Sequence, residues 1–148
     1  MDTQALLQQY AAGERNFSKV NLVHVCLSNA KLVGAHLTGA HLVGADLRGV
    51  DLTNAYLEQA KLNQACLADA EMIEVCLISA EMVGADLSGA DLTAADLSNA
   101  NLSQTDLSGA NLTLADLTGA NLCETNLNGA CLNGAKLSQT NLMLGDRT

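Results

Sequence analysis

The chain has 148 residues, 12 of them glycine and none proline, with 49% hydrophobic and 2% aromatic content and a formal net charge of −9. One domain is expected at this length; no apolar run approaches the ~18 residues of a membrane span, and the N-terminus lacks the basic and apolar regions of a secretory signal. Without a membrane span or a secretory signal, a cytoplasmic protein is the expectation, and the acidic surplus works against direct binding of nucleic acid, whose backbone is itself anionic.

Residues 1–13 differ in composition from everything after them. Asp2 can cap a helix, Leu6, Leu7 and Tyr10 fall on one helical face, and Gly13 can end it. A helix near residues 2–12 is therefore predicted. So short a helix is marginal in isolation, so it must pack on the segment that follows, where Phe17, Leu22 and Leu27 are available.

From Leu22 to Leu142 every fifth residue is Leu or Met, without a gap, and the two methionines are Met72 and Met82. Two positions earlier stands Ala, replaced by Val at 20, 25, 50 and 75 and by Thr at 105, 125 and 140. Phe17 extends the register back one step. A period of five suits neither regular element. In a strand, residues five apart point to opposite faces, and in an α-helix each step of five advances about 140° at ~3.6 residues per turn. One geometry keeps the leucines together: a short extended segment and a sharp bend in every repeat. Residues that tolerate tight turns recur where the bend falls, among them Gly34, Gly44, Asn54, Gly89, Asn99 and Gly119. The chain must wind as a polygonal coil with Leu and Ala inward.

The motif A-(D/N)-L-x-x, as in Ala85-Asp86-Leu87-Ser88-Gly89 and Ala110-Asn111-Leu112-Thr113-Leu114, resembles the pentapeptide repeat family over residues 15–144. The lead-in Leu6-Leu7-x-x-Tyr10-x-x-Gly13-x-x-x-Phe17 is similar to that of short solitary cyanobacterial members. The resemblance implies an all-β, right-handed quadrilateral β-helix with four repeats per coil, so that residues twenty apart stack. Residues 1–13 would be a capping helix, 14–144 the solenoid and 145–148 a tail. About 6.5 coils at the ~4.8 Å spacing of neighbouring strands make a rod about 31 Å long.

In that register, Cys26 and Cys66 share a column but lie two coils apart, beyond the ~7 Å reach of a disulfide. Five unpaired cysteines suit a reducing compartment. His36, Tyr56 and Cys76 share another column, with His41 one corner away. A His and a Cys two coils apart cannot share one metal ion at ~2.0–2.3 Å bonds, so no metal site is expected. His24 near the first coil has no evident partner. No phosphate loop, nucleophile elbow or zinc motif is present. A filled prism lacks the concave pocket that catalysis needs, so neither enzymatic activity nor a cofactor is expected.

The charge is uneven. Between Lys61 and Lys136 there is no Lys or Arg but there are ten acids, including Asp86, Asp91, Asp96, Asp106 and Asp116, a candidate interaction surface. Over the about 18 Å that this stretch spans, duplex DNA, at one charge per ~1.7 Å, carries a similar number. Asp86 would sit on Asp106 and Asp96 on Asp116, and like charges opposed in a ladder are destabilising. Some proteins of the pentapeptide repeat family are DNA mimics that occupy the DNA-binding saddle of type II topoisomerases. That group dimerises through a C-terminal helical module that this chain lacks, and several of its members carry Phe in the interior.

The residue after each central Leu points outward. It is mostly Ser or Thr in the C-terminal half but becomes Val23, Val33, Val43, Ile73, Ile78 and Val83 earlier. Ile73, Ile78 and Val83 wrap one coil and form a candidate apolar patch. At the far end no helix is expected after Leu142, so Leu137, Leu142, Met143 and Leu144 form a candidate end for a homodimer, since an uncovered coil would offer apolar surface and an open strand edge. The function expected is a non-enzymatic rod presenting its faces to a protein partner. The alternative is an acidic DNA-mimic inhibitor of a DNA-binding protein such as a type II topoisomerase.

Overall fold

A computed structural model describes residues 1–141. Helix α1 spans Thr3–Ala11, with Asp2 as its N-cap accepting the Ala5 N–H at 2.7 Å. It ends where Gly13 turns to φ 101°, a conformation open to a residue without Cβ. Leu6 is fully buried, and Leu7 and Tyr10 pack beside it against the core. The helix also supplies donors to the first coil. Met1 amine, Thr3 hydroxyl and Tyr10 hydroxyl donate to the carbonyls of Asn21, Cys26 and Val33 at 3.2, 2.7 and 2.7 Å. In later coils, carbonyls at these repeat positions accept N–H groups from the coil before. Arg15 places its guanidinium 3.7 Å from the centre of the Tyr10 ring and donates to the Tyr10 carbonyl at 2.9 Å.

After α1 the chain is a stack of four-sided coils. Every β-bridge is parallel and joins residue i to residue i+20, from Asn16↔His36 to Asn121↔Asn141. Each repeat follows one hydrogen-bond scheme, illustrated by Ala85–Gly89. Asp86 N–H donates back to Ala65 O, while Leu87 N–H and Gly89 N–H donate forward to Asp106 O and Ser108 O, at 2.9, 2.7 and 2.9 Å. Ala90 N–H closes the turn on Leu87 O at 3.1 Å. The bridges are isolated single positions between turns. The expected all-β architecture therefore takes the form of a bridged solenoid with little continuous strand, because a bend every five residues leaves no room for a longer ladder.

The bend itself is left-handed backbone. The second residue after each central Leu has φ between 57° and 73° from Lys19 to Gln139, whether or not it is glycine. A type II turn requires positive φ at this place. Ala94 and Leu114 accept it at φ 59° and 61°, although an L side chain there costs roughly 1–2 kcal/mol.

The interior is filled by the Leu and Ala columns. Leu22 through Leu122, with Met72 and Met82 among them, are at most 2% exposed, and each such side chain contributes about 1.5–3 kcal/mol of burial. Thr105 and Thr125 replace Ala at no loss of polar satisfaction, their hydroxyls donating to Met82 O and Leu102 O at 2.8 and 2.7 Å. Towards the end of the described residues the cover thins, and Leu137 is 38% exposed.

Candidate interaction surfaces

Four faces run along the rod, denoted I to IV by the columns beginning at Leu22, Leu27, Leu32 and Leu37. On each face the residues flanking the central Leu point outward, and the bridge register places the candidate residues. Asp86 and Asp106 stack on face II, Asp96 and Asp116 stack on the opposite face IV, and Asp91 lies on face III between them, over Glu71. The five carboxylates therefore spread over three of the four faces, II to IV, and do not gather on one side.

Each of these carboxylates has a structural task. The hydrogen-bond scheme leaves one N–H per repeat without a backbone acceptor, that of the residue after the central Leu. Where Asp or Asn precedes that Leu, its Oδ1 takes the orphan, as Asp86 does for Ser88 N–H at 2.9 Å, Asp91 for Thr93 at 3.1 Å and Asn101 for Ser103 at 3.1 Å. The Ser or Thr hydroxyl often donates to the same oxygen, at 2.6 Å from Ser88 and Thr93. Hydrogen bonds from the Thr118 hydroxyl, then from its N–H, hold the Asp116 carboxyl below its ordinary range. Ser98, one of the outward residues after a central Leu, is half-buried and donates to Asp96.

Cations in the first coils are partly committed. Arg48 grips Asp46 at 2.7 Å, and its side-chain and backbone hydrogen bonds lower the Asp46 carboxyl to about 2. Lys61 meets Glu81, one coil further on, at 2.9 Å, and its hydrogen bond lowers the Glu81 carboxyl. Both pairs are solvent-exposed, so neither contributes much to stability.

The candidate apolar residues Ile73, Ile78 and Val83 lie on faces III, IV and I, and each is half-buried by the coils on either side. Stronger apolar exposure falls on Val23 (42%), Val33 (39%), Tyr56 (45%) and Leu114 (63%). His36 packs on Tyr56 with ring centres 4.7 Å apart and planes tilted by 49°. The five cysteines are free. Burial pushes the Cys76 thiol up, and the Thr113 hydroxyl pulls Cys131 down. Among the described residues no three metal-ligating side chains converge. Of the candidate dimer end, Leu137 is exposed, and Leu142, Met143 and Leu144 lie outside the described residues.

The surface also carries a concavity that the repeat pattern does not announce. Along the corner between faces IV and I runs an open trough of about 520 Å³, with Lys19, Gln59 and Ser79 on one wall and His41, Lys61 and Glu81 on the other. Gly39 forms part of its floor. The spacing of His41 and Lys61 carries half of this signal, because twenty residues put them in one column. Lys19 belongs to the adjacent corner column, which only the turn geometry brings alongside.

No helix among the described residues is long and apolar enough to cross a membrane. The family model for pentapeptide repeats, in eight copies, matches residues 16–54, 30–69, 51–89, 70–109, 85–122 and 105–142. The uncharacterized protein slr1851 of Synechocystis sp. (strain ATCC 27184 / PCC 6803 / Kazusa) is 61% identical over 33 residues, which are 22% of this chain and 20% of that protein. The match thus spans about a fifth of that relative. Among solved structures, the pentapeptide repeat protein Rfr23 from the cyanobacterium Cyanothece 51142 is 28% identical with a TM-score of 0.61, covering 93% of this chain and 98% of that one. A trypsin-treated variant of QnrB1, a plasmid-mediated fluoroquinolone resistance protein, superposes with a TM-score of 0.79 at 22% identity, over 86% of this chain and 67% of that one. That second likeness is one of fold. The chain belongs to the pentapeptide repeat family.

Proposed function

We propose that the protein is a non-enzymatic interaction rod, which presents its outward columns to a protein partner in the cytoplasm. The observation that carries this reading is the division of labour within each repeat. The central Leu and the Ala are consumed by the core, three backbone N–H groups by neighbouring coils and one by the turn. Only the columns flanking each Leu and the corner residues are left to vary, and such surfaces on repeat rods suit recognition of another macromolecule. A filled interior leaves no enclosed place for substrate.

A narrower second reading is supported by the carboxylates of Asp86, Asp96, Asp106 and Asp116. Each is held in place by hydrogen bonds from the residue two further on, and stacked acids recur at the ~4.8 Å coil spacing. A fixed lattice of acid suits mimicry of a nucleic-acid backbone toward a DNA-binding protein.

Affinity capture from the source cell's lysate on the immobilised protein, at low and at high salt, tests both. A partner retained at high salt supports the first reading. Steep loss with salt, together with loss of the partner when Asp86, Asp96, Asp106 and Asp116 are all changed to Asn, supports the acidic one, because screening acts on any exposed charge. Nothing retained above bare resin at either salt contradicts both.

A further inference from the structure

We propose that the trough between faces IV and I is a docking groove for an acidic peptide segment of a protein partner, whose carboxylates meet Lys19 and His41. The inference rests on the interaction-rod reading and names the chemistry of its partner.

Three observations support it. The groove already holds one carboxylate, since Lys61 binds Glu81 at 2.9 Å. Lys19 lines the same trough, and among the described residues no ion pair engages it. Second, Gly39 shapes the cationic end. A Cβ added there would stand 3.3 Å from Lys19 Cγ, so the Lys19 stem lies across the glycine, along the trough toward the next coil. Third, the lining spans Lys19 to Ser79, three coil steps, which is about 14 Å at ~4.8 Å per coil. That length suits roughly four residues of extended chain at ~3.3 Å each, with Gln59 and Ser79 able to hydrogen-bond its backbone. Donors strung out over such a distance do not converge on a single compact anion.

The overall charge of −9 does not forbid an acidic ligand here. Residues 1–61 carry five Lys or Arg against five Asp or Glu, so this half of the rod is neutral. The acid-rich stretch begins at Asp69 and overlaps the groove only at its Ser79–Glu81 end; it starts about 12 Å along the rod from Lys19 at ~4.8 Å per coil, beyond the ~8 Å Debye length at physiological salt.

The test is a titration of the full chain with a fluorescent oligoglutamate peptide at low salt. Saturable binding is expected, weakened about fivefold or more by Lys19→Gln, the loss of one charged hydrogen bond. Lys136→Gln removes the same charge elsewhere and should leave affinity within about twofold, as distant sites behave independently. Gln is native at corner positions 59, 64, 104 and 139, with φ 58–61°, so Lys19→Gln should fold. Glu81→Gln removes the internal competitor for Lys61 and should tighten binding. Absence of saturable binding, or equal effects of Lys19→Gln and Lys136→Gln, overturns the proposal. So does inorganic phosphate displacing the peptide at equal concentration, which would mark a small-anion site. If lysate capture finds a partner indifferent to Lys19→Gln, the groove falls and the rod stands. If the peptide binds as described and capture finds nothing, the groove's affinity for acidic peptide stands but the claim of a protein partner falls with the rod reading.

Discussion

Ser98 donates twice to one oxygen of Asp96, through its backbone N–H at 3.0 Å and its hydroxyl at 2.5 Å. The pair recurs as Asp86 with Ser88, Asp106 with Ser108 and Asn111 with Thr113. Asp or Asn before the central Leu is thus explained by local backbone chemistry, the Asx turn, before any appeal to a partner.

That bond needs only a carbonyl-type oxygen, as Asn101 provides for Ser103 at 3.1 Å, although at Asp116 it also favours the ionised form. Replacing Asp86, Asp96, Asp106 and Asp116 together by Asn should therefore keep the four turns. It should relieve the stacked pairs Asp86–Asp106 and Asp96–Asp116, each worth up to about 1 kcal/mol. The melting temperature at low salt should rise, with a smaller rise at high salt. A fall would show that the ionised oxygen makes hydrogen bonds that the amide cannot match.

Leu92 is fully buried in a column without polar neighbours. Leu92→Asp should cost more than about 4 kcal/mol by burying an unpaired carboxyl. Gln64→Glu is the matched control, since Glu74 and Glu124 already occupy equivalent corners at φ 57° and 59°. Its denaturation midpoint should stay near that of the parent chain. Similar losses from both variants would show the register to be wrong.

Leu114 combines left-handed backbone at φ 61° with 63% exposure. Asn tolerates that conformation better, and holds it at Asn29, Asn54 and Asn99. Leu114→Asn should stabilise by about 0.5–1 kcal/mol through relief of strain, read as a higher melting temperature. A loss would mean that contact of the Leu114 side chain with the Gly134 corner outweighs the strain.

Asp46 offers a pH test. Its carboxyl is lowered to about 2 by Arg48, from an ordinary 3.8. A carboxyl depressed in the folded state contributes stability in full above its unfolded value, and loses it as pH falls through the folded one. Carbon-detected NMR titration should find Asp46 ionised at pH 3, and Arg48→Ala should return it toward the ordinary value. An Asp46 that titrates near 3.8 in the parent chain would show that the Arg48 contact does not persist in solution.

The five-residue register made most of the fold legible. It put Leu22 to Leu142 inside, and the structure buries them as far as Leu122; the i to i+20 stacking that brings Asp86 onto Asp106 followed from the family resemblance, and Asp2 and Gly13 marked a separate helix. The role of the acids was missed because charge was weighed before hydrogen bonding. The recurring Asp-x-Ser and Asp-x-Thr spacing, as in Asp91-Leu92-Thr93, was the available signal. The half-burial of Ile73, Ile78 and Val83 was hidden because a column shields its members from both sides, which outward direction alone does not reveal. The trough was hidden because Lys19 stands on a corner column and His41 on a face column, and that both line one concavity follows from the shape of the coil and not from the repeat spacing.

The central claim is that the outward columns of this rod recognise a protein. Photo-crosslinking in the source cell tests it most directly, with a benzophenone side chain placed in turn at Ile73, Ile78, Val83 and Ser88, one for each face. Recognition by a defined surface predicts a crosslink to the same protein from one face or two adjacent faces, and none from the others. Absence of crosslinks from all four, or equal crosslinks to many proteins from every face, would contradict it.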